Sequence, residues 1–162
     1  MRTHKSISAF TTAFAFCALT MVAAAAPEHV WKYEEIYNPV TDTRTYIANI
    51  EFESSEVELR CSANDRQAEV RLRLPVRTSR STGLKIGFDN RSPRGMEWQP
   101  SISGFSMSLP SAQINNFARQ LSAYNTLAVE LTDDDKTVAT YAIPLKGSSK
   151  AIANLRERCR FE

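Results

Sequence analysis

An export signal at the front of a chain fixes the redox state, and so the cysteine chemistry, in which everything behind it must fold. Here Arg2, His4 and Lys5 make a basic start, Ile7 to Val22 supply an apolar and small run without an acidic residue, and Ala23 to Ala26 offer a small-residue cleavage site. Signal peptidase takes small residues at the third and first positions before the cut and disfavours proline just after it, so cleavage is expected after Ala24 or Ala25. Ser8, Thr11, Thr12 and Thr20 interrupt the run, which falls short of the roughly 20 strongly apolar residues that span a bilayer. Phe16 is too large to precede a lipidated cysteine, so Cys17 reads as part of the discarded segment. Residues 1–25 are thus the expected signal, and residues 26–162 a single exported β-rich domain in the periplasm or outside the cell, large enough for a real core.

Removing the signal changes three counts. The chain has 20 basic and 18 acidic residues, but Arg2 and Lys5 leave with the signal and no acid does. The exported part is therefore neutral, so the alkaline pI of the whole chain is no argument for nucleic acid or anionic lipid as partner, and no nucleic acid is expected. Three cysteines become two, Cys61 and Cys159, 98 positions apart, and an even pair in an oxidising compartment is expected to bond. A redox or metal pair would use close spacing or recruit histidines, and neither is present. Two histidines become one, His29, near the new start.

Behind the signal the chain alternates. Thr45 to Phe52 and Glu56 to Cys61 put Ile50 and Phe52, then Val57, Leu59 and Cys61, on one face, as half-buried strands do. Val70, Leu72, Leu74 and Val76 then point one way and Glu69, Arg71, Arg73 and Arg77 the other. Residues 31–59 hold two basic and seven acidic side chains, whereas residues 60–94 hold nine basic and three acidic ones. That contrast predicts a hairpin in which Glu56 and Glu58 meet Arg71 and Arg73 on the solvent face.

Further strands are predicted at Leu84 to Asp89, around Met96 to Trp98, and at Phe105 to Leu109. A helix follows Pro110, with Ile114, Phe117, Ala118 and Leu121 at helical spacing and Ser111 as its cap. Leu127, Val129 and Leu131 alternate toward a turn at Asp133 to Asp135. The returning strand buries either Val138, Thr140 and Ala142 or the set through Tyr141 and Ile143. Gly147 ends it, Ser148 or Ser149 caps a last helix, and Ile152, Leu155 and Cys159 make its apolar stripe. The expected fold is mainly β or α+β, a twisted antiparallel sheet or sandwich with one internal helix and a C-terminal helix.

Little in this chain suits catalysis. A residue titrating near neutrality or an activated nucleophile is the usual requirement, and one histidine in a terminal tail does not supply it. The glutamates from Glu34 to Glu58 mostly fall opposite arginines, and Asp133, Asp134 and Asp135 lack the spacing of a calcium loop. No catalytic residue, metal site or cofactor is expected. Binding residues are easier to nominate. Trp31, Tyr33 and Tyr37 would make an interface if exposed, and Arg77, Arg80, Arg91 and Arg94 lack obvious acidic neighbours.

Several landmarks resemble one family. Trp31 precedes Asn38, Pro39, Thr41, Asp42, Arg44, Thr45 and Tyr46, then Leu59, Arg60 and Cys61. Gly87, Phe88 and Asp89 follow, then Trp98 and Ser101, and finally Pro144, Leu145, Lys146, Gly147, Ala151, Ile152, Leu155 and Cys159. In this order the chain resembles the VasI-like exported accessory proteins associated with type VI secretion. The resemblance implies a small exported domain whose two cysteines pair, an accessory role and no catalytic residues to carry over. The expected function is accordingly a non-enzymatic periplasmic or secreted binding or accessory protein, with an envelope protein as partner. The alternative is a periplasmic inhibitor or immunity protein that blocks a toxic or cell-wall hydrolase through residues 78–83 or 90–95.

Overall fold

The computed structural model describes residues 29–78, 81–134 and 136–161. The expected export signal and Arg80 lie outside the described residues. Among these the elements run β1 (Lys32–Asn38), β2 (Thr43–Phe52), β3 (Ser55–Ser62), β4 (Glu69–Arg73), β5 (Thr82–Phe88), β6 (Arg94–Gly95), β7 (Gln99–Pro100), β8 (Ser106–Ser108), α1 (Ser111–Ala123), β9 (Thr126–Asp133), β10 (Lys136–Pro144) and α2 (Ser148–Arg156). The strands build two antiparallel sheets, in the orders β1-β2-β3-β4-β8-β7 and β10-β9-β5-β6. This is the predominantly β, α+β architecture that the alternating segments predict.

Because side chains along a strand alternate between faces, each sheet can offer one apolar surface to a shared interior. Tyr46, Ala48 and Ile50 of β2, Val57, Leu59 and Cys61 of β3, and Val70 and Leu72 of β4 supply one layer. Leu84, Ile86 and Phe88 of β5 with Leu127, Val129 and Leu131 of β9 supply the other. The helices add Ile114, Phe117, Ala118 and Leu121 from α1 and Ala151, Ile152 and Leu155 from α2. Phe117 meets Phe88 and Trp98 with ring centroids 6.0 and 5.7 Å apart, so α1 is held against the β5 end of the core.

Three local expectations change, and one open alternative is resolved. The strand predicted around Met96 to Trp98 is a crossing, with β6 in one sheet and β7 in the other and Trp98 buried between them. A segment that changes sheets keeps no common ladder and cannot form one continuous strand. Pro110, not Ser111, occupies the N-cap of α1, and no side chain caps that helix. Gly147 occupies the N-cap of α2 with φ 85°, and a Cβ there would lie 3.0 Å from Val30 Cγ1. Neither serine caps this helix. The Ser148 hydroxyl instead donates to the Leu121 carbonyl at 2.6 Å, tying α2 to the end of α1. In β10 a register shift between Thr137 and Ala139 turns the strand, so Val138 is exposed while Ile143 is buried and Ala139 and Tyr141 pack on the core.

Cys61 and Cys159 are bonded, their Cα atoms 5.8 Å apart. Cys159 lies just beyond α2 rather than within it. A clasp runs alongside: Ala68 N–H donates to the Arg160 carbonyl, Arg160 N–H to the Arg66 carbonyl, and Arg66 Nε to the Arg158 carbonyl at 2.7 Å. No helix among the described residues is long and apolar enough to cross a membrane.

Candidate functional site

Gly87, Phe88 and Asp89 end β5 and fix the turn that follows. A Cβ on Gly87 would lie 2.7 Å from the Arg91 carbonyl and 3.2 Å from Pro93 backbone atoms, so only glycine lets that turn sit so close to the strand. Asp89 adopts a left-handed φ of 51°. Its Oδ1 accepts the Asn125 and Thr126 amides, each at 2.9 Å, and its own N–H donates to the Thr126 carbonyl at 2.9 Å. Arg91 N–H returns to the Phe88 carbonyl at 3.1 Å. The turn is thereby seated on β5 and stapled to the start of β9.

This turn and β6 face α1 across a cleft of about 630 Å³. Arg91 and Arg94 line one side, Ile86, Phe88 and Met96 lie at its floor, and Gln113, Asn116 and Gln120 line the helix side. The three amides fall at i, i+3 and i+7, which places them in a row on one helix face. Arg91 stacks over the Tyr124 ring at 4.8 Å, and Tyr124 packs against Phe88 with centroids 5.3 Å apart. Neither Arg91 nor Arg94 has a carboxylate partner among the described residues. Two uncompensated guanidinium groups beside three amides can hold a carboxylate or phosphate, and the amides can donate to and accept from whatever carries it.

The other nominated residues lie elsewhere. Arg77 borders a separate cleft of about 400 Å³ with Thr78, Leu131, Asp133 and Val138. Trp31 is buried, with only 5% of its surface exposed, and its backbone N–H donates to the Lys146 carbonyl. It is withdrawn from any interface because β1 enters the fold there, turning the indole into the core. Tyr33 is half-buried against the same core. Tyr37 alone of the three is open; its hydroxyl donates to Asp42 at 3.0 Å and Arg44 lies 5.7 Å from its ring. His29, expected in a loose tail, is docked, its Nδ1 3.0 Å from the Glu51 carbonyl and its ring edge-on to Phe52.

The outer face of the six-stranded sheet carries the predicted charge pairing, with changes. Glu56 stands opposite Arg73 and Glu58 opposite Arg71. Glu56 and Arg73 form an ion pair at 3.1 Å, but Arg71 turns to Glu69 at 3.2 Å, leaving Glu58 with Arg60 at 3.6 Å. These carboxylates are not freely solvated as the alternation implied. β3 lies inside the sheet, and Glu56 is 9% exposed. Burial pushes the Glu58 carboxyl above its ordinary range, against the pull of Arg60 and with a contribution from Glu56.

The amide row of α1 is the part of the site that sequence reasoning missed. Its signal was present as Gln113, Asn116 and Gln120 on the polar side of the Ile114–Phe117–Leu121 stripe, but a polar helix face ordinarily reads as solvated.

No protein-family profile matches the chain, and no curated protein matches it. Among solved structures it is similar to the crystal structure of invasion associated protein B from Bartonella henselae, with 13% identity and a TM-score of 0.51, covering 80% of this chain and 93% of the other. At that identity the likeness is one of fold.

Proposed function

We propose that this chain is a non-enzymatic exported binding protein, an accessory to an envelope machine, and that its cleft takes an anionic group of its partner. Arg91 and Arg94, without carboxylate partners among the described residues and beside an amide row over an apolar floor, carry this reading. A fixed site of this kind binds without first ordering a loop, which lowers the entropic cost of association. The formed disulfide suits a protein outside the reducing cytoplasm, as the export signal leads one to expect. The resemblance to VasI-like proteins supports the further step to a type VI-like secretion machine.

Charge reversal of Arg91 and Arg94 together tests the reading. Envelope components retained by the unaltered chain at low salt and released by the Arg91→Glu, Arg94→Glu variant would carry it. Identical retention by both would overturn it.

The inhibitor reading has one observation in its favour. The turn from Asp89 to Pro93 is stapled to β9 at Asp89 and packed close against Gly87 at Pro93, the rigidity expected of a loop that occludes another protein's active site. Protection of bacteria from a co-encoded hydrolase, lost when residues 90–95 are replaced, would favour it over the accessory role.

A further inference from the structure

The same cleft opens along an unfinished sheet edge. β6 is the outer strand of the four-stranded sheet and only two residues long. Met96 N–H donates to the Leu84 carbonyl at 3.2 Å, and the ladder pairs Lys85 with Gly95 and Ile86 with Arg94. In an antiparallel ladder the backbone groups of successive residues point alternately toward and away from the neighbour. Arg94 and Met96 therefore direct theirs at β5, and Gly95 directs its N–H and carbonyl outward. Arg94 is paired with Ile86 and shares its face, the face toward α1.

Gly95 has no reason within the chain to be glycine. Its φ is not left-handed, and a Cβ built on it meets nothing within 4 Å. A glycine at such a place marks close approach by another backbone. The edge is also guarded against its own kind, because two copies of β6 paired antiparallel at Gly95 would set their Arg94 side chains on one face as diagonal neighbours. What fits the edge must carry opposite charge.

We propose that an extended acidic segment of a partner polypeptide adds to β6 as a further strand, bonding the Gly95 amide and carbonyl and presenting carboxylates to Arg91 and Arg94. This rests on the anion-binding reading of the cleft and adds to it the class of partner and the conformation in which it binds.

The probe is a capped, fluorescein-labelled peptide of alternating glutamate and valine, with two further versions N-methylated on its odd or on its even residues. One edge of an added strand faces β6 and the other faces solvent. Only one methylated version is expected to bind more weakly, by about tenfold or more, while the other matches the parent peptide. Gly95→Pro, which removes an amide unused in the ladder to β5, is expected to weaken the parent peptide similarly with an unchanged circular dichroism spectrum. If that variant misfolds, the methylated pair on the unaltered protein decides. Equal binding of all three peptides, or no binding of the parent, overturns strand addition. If binding is equal and Arg91→Glu, Arg94→Glu abolishes it, strand addition falls and the anion site stands. Binding that ignores the charge reversal overturns both.

Discussion

Removing the disulfide, by replacing Cys61 and Cys159 with alanine, tests how much of this fold's stability lies in its unfolded state. The bond closes a loop with a sequence separation of 98. On the chain-entropy relation such a closure stabilises the native state by about 4.7 kcal/mol. Both half-cystines are buried, at 3% and 6% exposure, so losing their sulfur atoms adds about 1 kcal/mol of lost packing. A domain of this size is stable by about 5 to 15 kcal/mol, so the variant should keep its fold only narrowly. With a urea m-value of about 2 kcal/mol/M, the midpoint should fall by roughly 2 to 3 M. Trp31 and Trp98 are both buried and report the transition by fluorescence. A midpoint shift under about 0.5 M would refute the reasoning, because it would mean that the unlinked chain already keeps its ends together. The clasp at Arg66 gives an internal control. Arg66→Ala loses exposed side-chain bonds to the tail and should shift the midpoint by only about 0.5 M or less.

Other predictions address the site and the core. Gly87→Ala drives a methyl into the Arg91 carbonyl and Pro93, so it should cost about 1 to 3 kcal/mol in thermal denaturation and weaken anion binding together; unchanged stability would contradict the packing. Ser148→Ala leaves the Leu121 carbonyl without its hydroxyl and should cost about 1 to 2 kcal/mol, read from the denaturation midpoint. Glu58 binds its proton more tightly when folded than unfolded, so its contribution to stability is complete below the ordinary carboxylate pKa and is lost as pH rises through the raised one. Glu58→Gln should therefore flatten the decline in stability as pH rises above the ordinary carboxylate range, and an identical pH profile in both proteins would refute it. Thiol titration of denatured, unreduced protein should return no free thiol after signal cleavage and one, Cys17, if residues 1–25 remain.

The segments that proved legible are those whose partners lie close in sequence. β2, β3 and β4 alternate because one face of each meets the core, and the register of β3 on β4 followed from acids meeting arginines across a hairpin. The stripe of α1 was equally plain. What escaped depended on distant contacts. Trp31 is buried because the segment before α2, over a hundred residues away, receives its amide; nothing local distinguishes it from the exposed Tyr37. β6 and β7 are two residues each, too short for any periodicity to declare which sheet they join. Arg91 and Arg94 could be nominated from missing acidic neighbours, but the helix opposite them becomes part of the site only through the Phe88–Phe117 contact and the Asp89 staple.

The position of the crosslink also divides the chain mechanically. Tension applied between the two ends would run through residues 29–61, cross the sulfur bridge and leave by residues 159–161, bypassing everything from β4 to α2. Pulling could free at most the strands before the bridge, roughly 110 Å of chain at full extension. The cleft between β6 and α1 lies wholly within the bypassed loop. A partner gripping it would exert force on a covalently closed ring and not on the segments outside the bridge.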